Sequence, residues 1–276
     1  MTLVADYLVV GAGAMGMAFA DVLAQESTAS VIIIDRRDRP GGHWNSAYPF
    51  VRLHQPSAFY GVNSLPLGQN RIETVGWNKG LYELATNSEV CRYFEQVLAE
   101  QLLPSGRIQF LPNTEWTPDG SVVSTVTGRV VDVDVKKIVD ATYMKVQVPS
   151  THPAEFPVAE GITLAPVNAL TELASPGRDH VIIGAGKTGM DACLWLLANG
   201  IDSKHIRWIM PRDSWLLNRE FIQPFKLSER TATGFAHQML AFAHARDLEE
   251  LFQMLESADQ LMRIDPACTP SMYRCA

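Results

Sequence analysis

The chain has 276 residues, 47% of them hydrophobic and 19% charged, which suffices for one large folded unit or two ordinary ones and excludes a disordered chain. Its formal net charge is −7 with no basic block, which argues against nucleic acid as a main partner. No apolar run reaches the length of a membrane span, and no basic residues precede the opening apolar run as they would in a signal peptide.

The first predicted element is a buried strand, Tyr7-Leu8-Val9-Val10. The glycine-rich turn Gly11-Ala12-Gly13-Ala14-Met15-Gly16 follows, then a helix over Met17 to Gln25, then a second strand, Val31 to Ile34, ending on Asp35. Strand, glycine turn, helix, strand and acid in that order form the pattern of a dinucleotide site. Gly11 lets the chain turn sharply off the strand, Gly13 keeps side chains away from a pyrophosphate, and Gly16 lets the helix pack closely. The helix N-terminus, at Ala14 and Met15, offers free N–H groups to the phosphates. Asp35, with Arg36 beside it, stands where a carboxylate accepts hydrogen bonds from ribose hydroxyls. The alternative is a structural crossover whose glycines serve packing alone.

Next comes the pair Gly41-Gly42, followed by His43 and Trp44, which permits a tight backbone passage. Asn45 to Leu67 has no clear period and carries Arg52, His54, Gln55, Tyr60 and Asn63. It reads as a long loop that wraps a cofactor, or otherwise as a solvated surface loop. Ser88 to Leu103 predicts an amphipathic helix with Ser88 as N-cap and Val90, Phe94, Val97 and Leu98 on one face. Ile108 to Leu111, Ser121 to Val126 and Arg129 to Val135 predict a three-stranded meander. Ile138 to Thr142 predicts a further buried strand, whose small-residue end at Ala141 and Thr142 allows a ligand to approach the backbone.

Met144 to Ala174 reads as a proline-rich connection. The opening pattern then returns: strand His180 to Ile183, glycine turn Gly184-Ala185-Gly186-Lys187-Thr188-Gly189, helix Met190 to Asn199, strand Ile206 to Met210. Two copies with correct flanks are the strongest signal in the chain. The second strand leads into Met210-Pro211-Arg212-Asp213 rather than straight to an acid. Arg212 suits the 2′-phosphate of NADP, and Lys187 adds positive charge near the phosphates. Arg212 can also be read as a solvated surface arginine, and Asp213 as a partner for the 2′-hydroxyl of NAD. From Glu229 onward the chain predicts helix, with a Met and Phe stripe from Phe235 to Leu261 that reads as core. Residues 264–276 carry no assignable pattern. The four cysteines, Cys91, Cys193, Cys268 and Cys275, are scattered without C-x-x-C, which argues against a metal site and fits free thiols in a cytoplasmic protein.

With both glycine motifs, Gly41-Gly42-His43-Trp44 and Asp140-Ala141-Thr142 in view, residues 5–220 resemble the two-dinucleotide-domain flavoproteins, and within them the flavin-containing monooxygenases. The resemblance implies an α/β fold of two Rossmann-like domains. An FAD-binding domain would cover residues 1–150, with a small β-meander, an NADP-binding domain 151–225, and a helical segment 226–276. It assigns FAD to Gly11, Gly13, Gly16 and Asp35, and places Gly42, His43 and Trp44 next to the flavin. NADPH falls to Gly184, Gly186 and Gly189, with Arg212 on the 2′-phosphate and Lys187 and Thr188 in the turn. Arg52, His54, Gln55 and Asn63 are candidates for flavin contact. No catalytic acid, base or triad stands out.

The implied activity is oxygenation of a small organic substrate with O₂, through a flavin C4a-(hydro)peroxide formed after hydride transfer from NADPH. A flavin reductase or oxidase without oxygen insertion, and a non-catalytic dinucleotide-binding protein, are the alternatives. The family's Phe-x-Gly-x-x-x-His linker is not matched; Phe156 to Val167 has Gly161 but no histidine. No Gly-Asp dipeptide of the kind that closes the FAD domain is found, which implies a shortened relative or a piece of a longer protein. Substrate and oligomeric state stay open, a homo-oligomer being compatible with the sequence.

Overall fold

The computed structural model describes residues 2–142, 150–152, 154, 156–175, 177–210 and 212–270. The predicted connection at Met144, Pro211 in the second strand-tip motif, and Cys275 lie outside the described residues. The chain divides into two units, one of Met1–Ala47, Ser57–Arg71 and Ala85–Gln147, the other of Tyr48–Pro56, Ile72–Leu84 and Val148–Ala276. Segments 48–56 and 72–84 thus group with the later part of the chain.

The first unit is built on a parallel sheet. Strand β1 (Leu3–Val10) leads through the glycine turn into helix α1 (Ala14–Glu26), and strand β2 (Val31–Ile34) returns beside β1. Helix α2 (Asn87–Gln96) is followed by a wider turn, Val97–Leu102, and by strand β3 (Ile108–Leu111), which pairs parallel with β2. A hairpin of β4 (Thr114–Trp116) and β5 (Val122–Ser124) precedes β6 (Val133–Asp140), giving the sheet order β3-β2-β1-β6. The small meander is present with different members: β4, β5 and a bridge from Val123 to Val130. Ile108–Leu111 leaves it for the parallel sheet. The predicted strands ending at Val135 and starting at Ile138 are one continuous strand, and it lies at the sheet edge, where Ile138 is 47% exposed rather than buried. Leu8, Val10, Ile32, Ile34 and Val122 form the core of this unit. Short runs of β-branched residues favour this arrangement because both faces of a central parallel strand are covered.

The N-cap of α2 is Thr86, not Ser88. Its hydroxyl accepts from the Glu89 N–H while the Glu89 side chain accepts from the Thr86 N–H, a reciprocal capping box. Val90, Phe94, Val97 and Leu98 are buried, as their spacing predicts.

In the second unit a short helix, α3 (Leu170–Leu173), precedes β7 (His180–Ile183). A second glycine turn joins β7 to helix α4 (Lys187–Ala198), and β8 (Ile206–Ile209) pairs parallel with β7. Ile182, Ala192, Leu196 and Ile201 pack between them. Strand β9 (Leu216–Leu217) precedes helices α5 (Ser228–His244) and α6 (Leu248–Ser257), and β10 (Leu261–Met262) returns antiparallel to β9. The stripe predicted as core divides. Phe252, Leu255 and Leu261 pack on Trp215 and Ala241, whereas Phe235, Met239, Leu240, Phe242 and Leu248 are exposed. Among the described residues no helix is long and apolar enough to cross a membrane.

Candidate functional site

At the first glycine turn, Gly11 has φ +102° and its N–H donates to the Ile34 carbonyl at 2.8 Å, so the turn is stitched to the tip of β2. A Cβ on Gly16 would stand 1.9 Å from the Gly11 carbonyl oxygen and 3.2 Å from the Val9 side chain. Only glycine lets α1 start this close to β1. The N-cap is Gly13, no side chain caps the helix, and its first turn, including Ala14 and Met15, holds no acid. Among the described residues no side chain caps the first-turn N–H groups at this positive end of the helix.

Asp35 lies past β2 and is 6% exposed. Its Oδ2 accepts the Ala12 N–H at 2.8 Å and its Oδ1 accepts the Arg37 N–H at 2.9 Å. The predicted ribose acid is thus already bonded to the glycine turn, with Arg36 exposed beside it. The Gly41-Gly42 pair covers the same turn. Gly41 (φ +113°) donates its N–H to the Ala12 carbonyl at 2.8 Å, and a Cβ on Gly42 would stand 2.9 Å from the Gly13 Cα. His43 and Trp44 follow with rings 5.4 Å apart, and Asn87 Nδ2 donates to the Trp44 carbonyl at 2.8 Å. Burial, and then the charge of Arg37, push the His43 pKa down. Ala141 donates to the Val10 carbonyl at 2.9 Å, and the Thr142 methyl stands 2.9 Å from where a Gly11 Cβ would be. Gly11, Gly13, Gly16, Asp35, Gly42, Ala141 and Thr142 are therefore one cluster.

Asn63 sits on a held loop of the same unit. Ser64 donates its N–H to Asp21 at 3.1 Å and its hydroxyl to the same fully buried carboxylate. Tyr93 Oη accepts the Val62 N–H at 2.7 Å and donates to the Leu65 carbonyl at 2.6 Å. The exposed Asn63 lies between these anchors.

The second glycine turn repeats the local geometry. Gly184 has φ +119° and donates to the Ile209 carbonyl at 2.9 Å, while Trp208 Nε1 donates to the Gly184 carbonyl at 2.7 Å. A Cβ on Gly189 would stand 2.4 Å from that carbonyl, yet one on Gly186 meets nothing within 4 Å. Gly186 is the N-cap of α4, again with no side-chain cap and no acid in the first turn. Each turn taken by itself has features that fit a pyrophosphate, a glycine N-cap and uncapped donors, with open space over Gly186 at the second.

The charge of the second turn is set in part by Tyr48, a residue with no signal in the sequence. Lys187 pairs with Asp191 one helical turn on, and Tyr48 Oη donates to the same carboxylate at 2.7 Å. Burial, then the Asp191 contact, hold the Tyr48 phenol well above its ordinary pKa. Phe50 stacks on Trp195 at 5.1 Å. Arg52 pairs with Glu73 at 2.7 Å and donates to the Leu84 carbonyl. Burial, then the charges of Lys187 and Arg219, push the His54 pKa down. Arg52, His54 and Gln55, predicted to touch flavin, are thus members of the second unit with Lys187 and Thr188. Arg212 is exposed, three residues past the end of β8. Among the described residues no group of three or more His, Cys, Asp or Glu side chains is placed to hold a metal ion.

Residues 9–69 match the family model described as NAD(P)-binding Rossmann-like domain. The chain is 52% identical over 277 residues to the uncharacterized protein Rv2000 of Mycobacterium tuberculosis, and equally to Mb2023 of Mycobacterium bovis. The match covers 100% of this chain and 51% of each relative, so the chain spans about half their length. A flavin monooxygenase from Stenotrophomonas maltophilia superimposes with a TM-score of 0.52 at 19% identity, covering 79% of this chain and 60% of its own. The chain thus has a Rossmann-like α/β fold similar to that of the flavin monooxygenase, and its residues 9–69 are similar to NAD(P)-binding Rossmann-like domains.

Proposed function

We propose that this chain is the dinucleotide-binding part of an FAD-dependent oxidoreductase that uses NADPH and oxygenates a small organic substrate with O₂. One observation carries this: two strand-to-helix turns, each with a left-handed glycine and an uncapped helix N-terminus. One such turn serves one nucleotide; two serve a flavin and its reductant.

In this reading Gly11, Gly13, Ala14, Met15 and Gly16 hold the FAD pyrophosphate. Asp35, through the lone pairs its two backbone bonds leave, faces the ribose, and Gly42 to Trp44, Ala141 and Thr142 line the approach to the ring. Gly184, Gly186, Thr188 and Gly189 hold the NADPH pyrophosphate, and Arg212 takes the 2′-phosphate. When bound, the flavin supplies the redox chemistry; the chain supplies position, charge and exclusion of water.

The test is the visible absorbance of purified protein, loaded with FAD and then titrated anaerobically with NADPH. A flavin band that bleaches supports the proposal. Protein that stays colourless after FAD is added removes it. Full NADPH consumption with no oxygenated product would leave a reductase or oxidase instead. Arg212→Ala should reduce the preference for NADPH over NADH.

A further inference from the structure

The two crossovers can be compared position by position, because the same backbone bond fixes their register. Gly11 donates its N–H to the Ile34 carbonyl, and Gly184 donates to the Ile209 carbonyl. Leu8 and Val10 on β1 and Ile34 on β2 therefore correspond to Val181 and Ile183 on β7 and Ile209 on β8. In the first unit these three side chains are 1%, 8% and 0% exposed, and Val122 of the hairpin packs with them in one core. In the second unit their counterparts are 54%, 56% and 43% exposed.

Alternation along the strands says which side is bare. Ile182 packs with Ala192 and Leu196 of α4, and Ile206 and Trp208 join them. Val181, Ile183 and Ile209 fall on the opposite face, where Ile183 stands across from Ile209 and Val181 across from the exposed Arg207. Parallel sheets are found almost solely with both faces covered. The first unit meets that condition with four strands, whereas β7 and β8 make a sheet of two. Among the described residues no strand pairs with the outer edge of either, which leaves backbone donors and acceptors for an added strand.

The relatives supply an occupant. Rv2000 is 52% identical over the whole of this chain, yet the match takes up 51% of its length. The same strands thus occur there in a chain about twice as long. A second copy of this chain is a poorer fit. Three side chains fall far short of the roughly 800 Å² per partner of a stable interface. Two copies face to face would also bring two Arg207 charges onto one apolar surface.

We propose that the bare face of β7 and β8 is a docking surface for the polypeptide that the relatives carry outside the matched stretch. That polypeptide adds a strand to the sheet edge and lays apolar side chains on Val181, Ile183 and Ile209. The surface is independent of whether the glycine turns hold nucleotides.

The experiment co-expresses the full chain, tagged, with the part of Rv2000 that lies outside the match. An equimolar complex should purify on the tag. Val181→Lys and Ile209→Lys should abolish it while melting like the parent, because both side chains are exposed in the chain alone. Val126→Lys, at a 73% exposed position of the first unit, should leave it intact. A complex that survives both strand variants overturns the inference. Should the added part prove insoluble, whole Rv2000 decides. Val181→Cys in this chain, and cysteine at the matching position of Rv2000, are labelled with a thiol reagent and read by peptide mass. Labelling should be about tenfold or more slower in the whole relative, and equal rates refute the site. Light scattering of this chain alone covers the remaining occupant: a dimer that Val181→Lys dissociates overturns the choice in favour of a second copy.

Discussion

Asp35 accepts the backbone N–H of Ala12, so the acid at the end of β2 fastens the middle of the first glycine turn. Both partners are buried, and water cannot replace the bond cheaply. Asp35→Ala leaves the Ala12 donor without a partner and should cost about 1–3 kcal/mol. Asp35→Asn keeps one acceptor but turns an amide donor toward the second backbone N–H, so it should not rescue the loss. Thermal unfolding measures the stability, and FAD binding measures the turn. A variant that melts like the parent would show that the acid serves the ligand alone.

The glycines of the two turns should separate folding from binding. A Cβ at residue 16 or 189 runs into a backbone carbonyl, at 1.9 and 2.4 Å. Gly16→Ala and Gly189→Ala should therefore lose about 1–3 kcal/mol or more of stability. A Cβ at residue 186 meets nothing, and its φ of −82° suits any residue. Gly186→Ala should melt normally yet weaken NADPH, because the methyl group occupies space the pyrophosphate needs. A Gly186→Ala protein with unchanged NADPH affinity would remove Gly186 from the site.

Much of this was legible along the chain because it is local. Apolar runs next to glycines at fixed spacing specify strand, turn and helix within one short segment, and both crossovers follow. Thr86 and Glu89 also form a readable capping box, which Ser88 obscured. Long-range relationships were not legible. The run Ile108–Leu111 looks the same whether its neighbour is a hairpin or β2, and only the sheet decides. Asp191 lies four residues from Lys187 and their pairing could be foreseen from helical spacing. Tyr48 reaches that carboxylate across 143 positions and Arg219 reaches His54 across 165, with no signal in either stretch.

The helical stripe gives a test of which half is core. Leu255 is 7% exposed and packs in the Trp215 cluster, whereas Phe235 and Phe242 are 63% and 61% exposed. Leu255→Ala should cost about 2–5 kcal/mol. Phe235→Ser and Phe242→Ser should stay within about 0.5 kcal/mol. Denaturant unfolding of the three variants checks this. A serine variant as damaging as Leu255→Ala would mean that α5 is covered in solution.

The pH dependence of the first unit should be set in part by Asp6 on β1. Lys136 Nζ lies 2.6 Å from its Oδ1, and the Ser30 N–H and hydroxyl donate to Oδ2 at 2.8 and 2.9 Å. The Lys136 contact first, then the Ser30 N–H, lower the carboxyl from 3.8 to about 2. The folded state therefore releases this proton more readily than the unfolded chain, and stability rises with pH between the two values. The contribution is complete above about pH 4 and fades as pH falls toward about 2. At the other end, the Lys136 pKa is raised by the same pair, so its share persists until pH climbs past the ordinary lysine value. Asp6→Asn should melt below the parent at neutral pH, and the two melting curves should converge on acidification. A gap that stays constant down to pH 2 would mean that the carboxylate's charge contributes nothing, and that the Ser30 bonds alone fix the strand. Because the pair is exposed, added salt should narrow the gap at neutral pH as well.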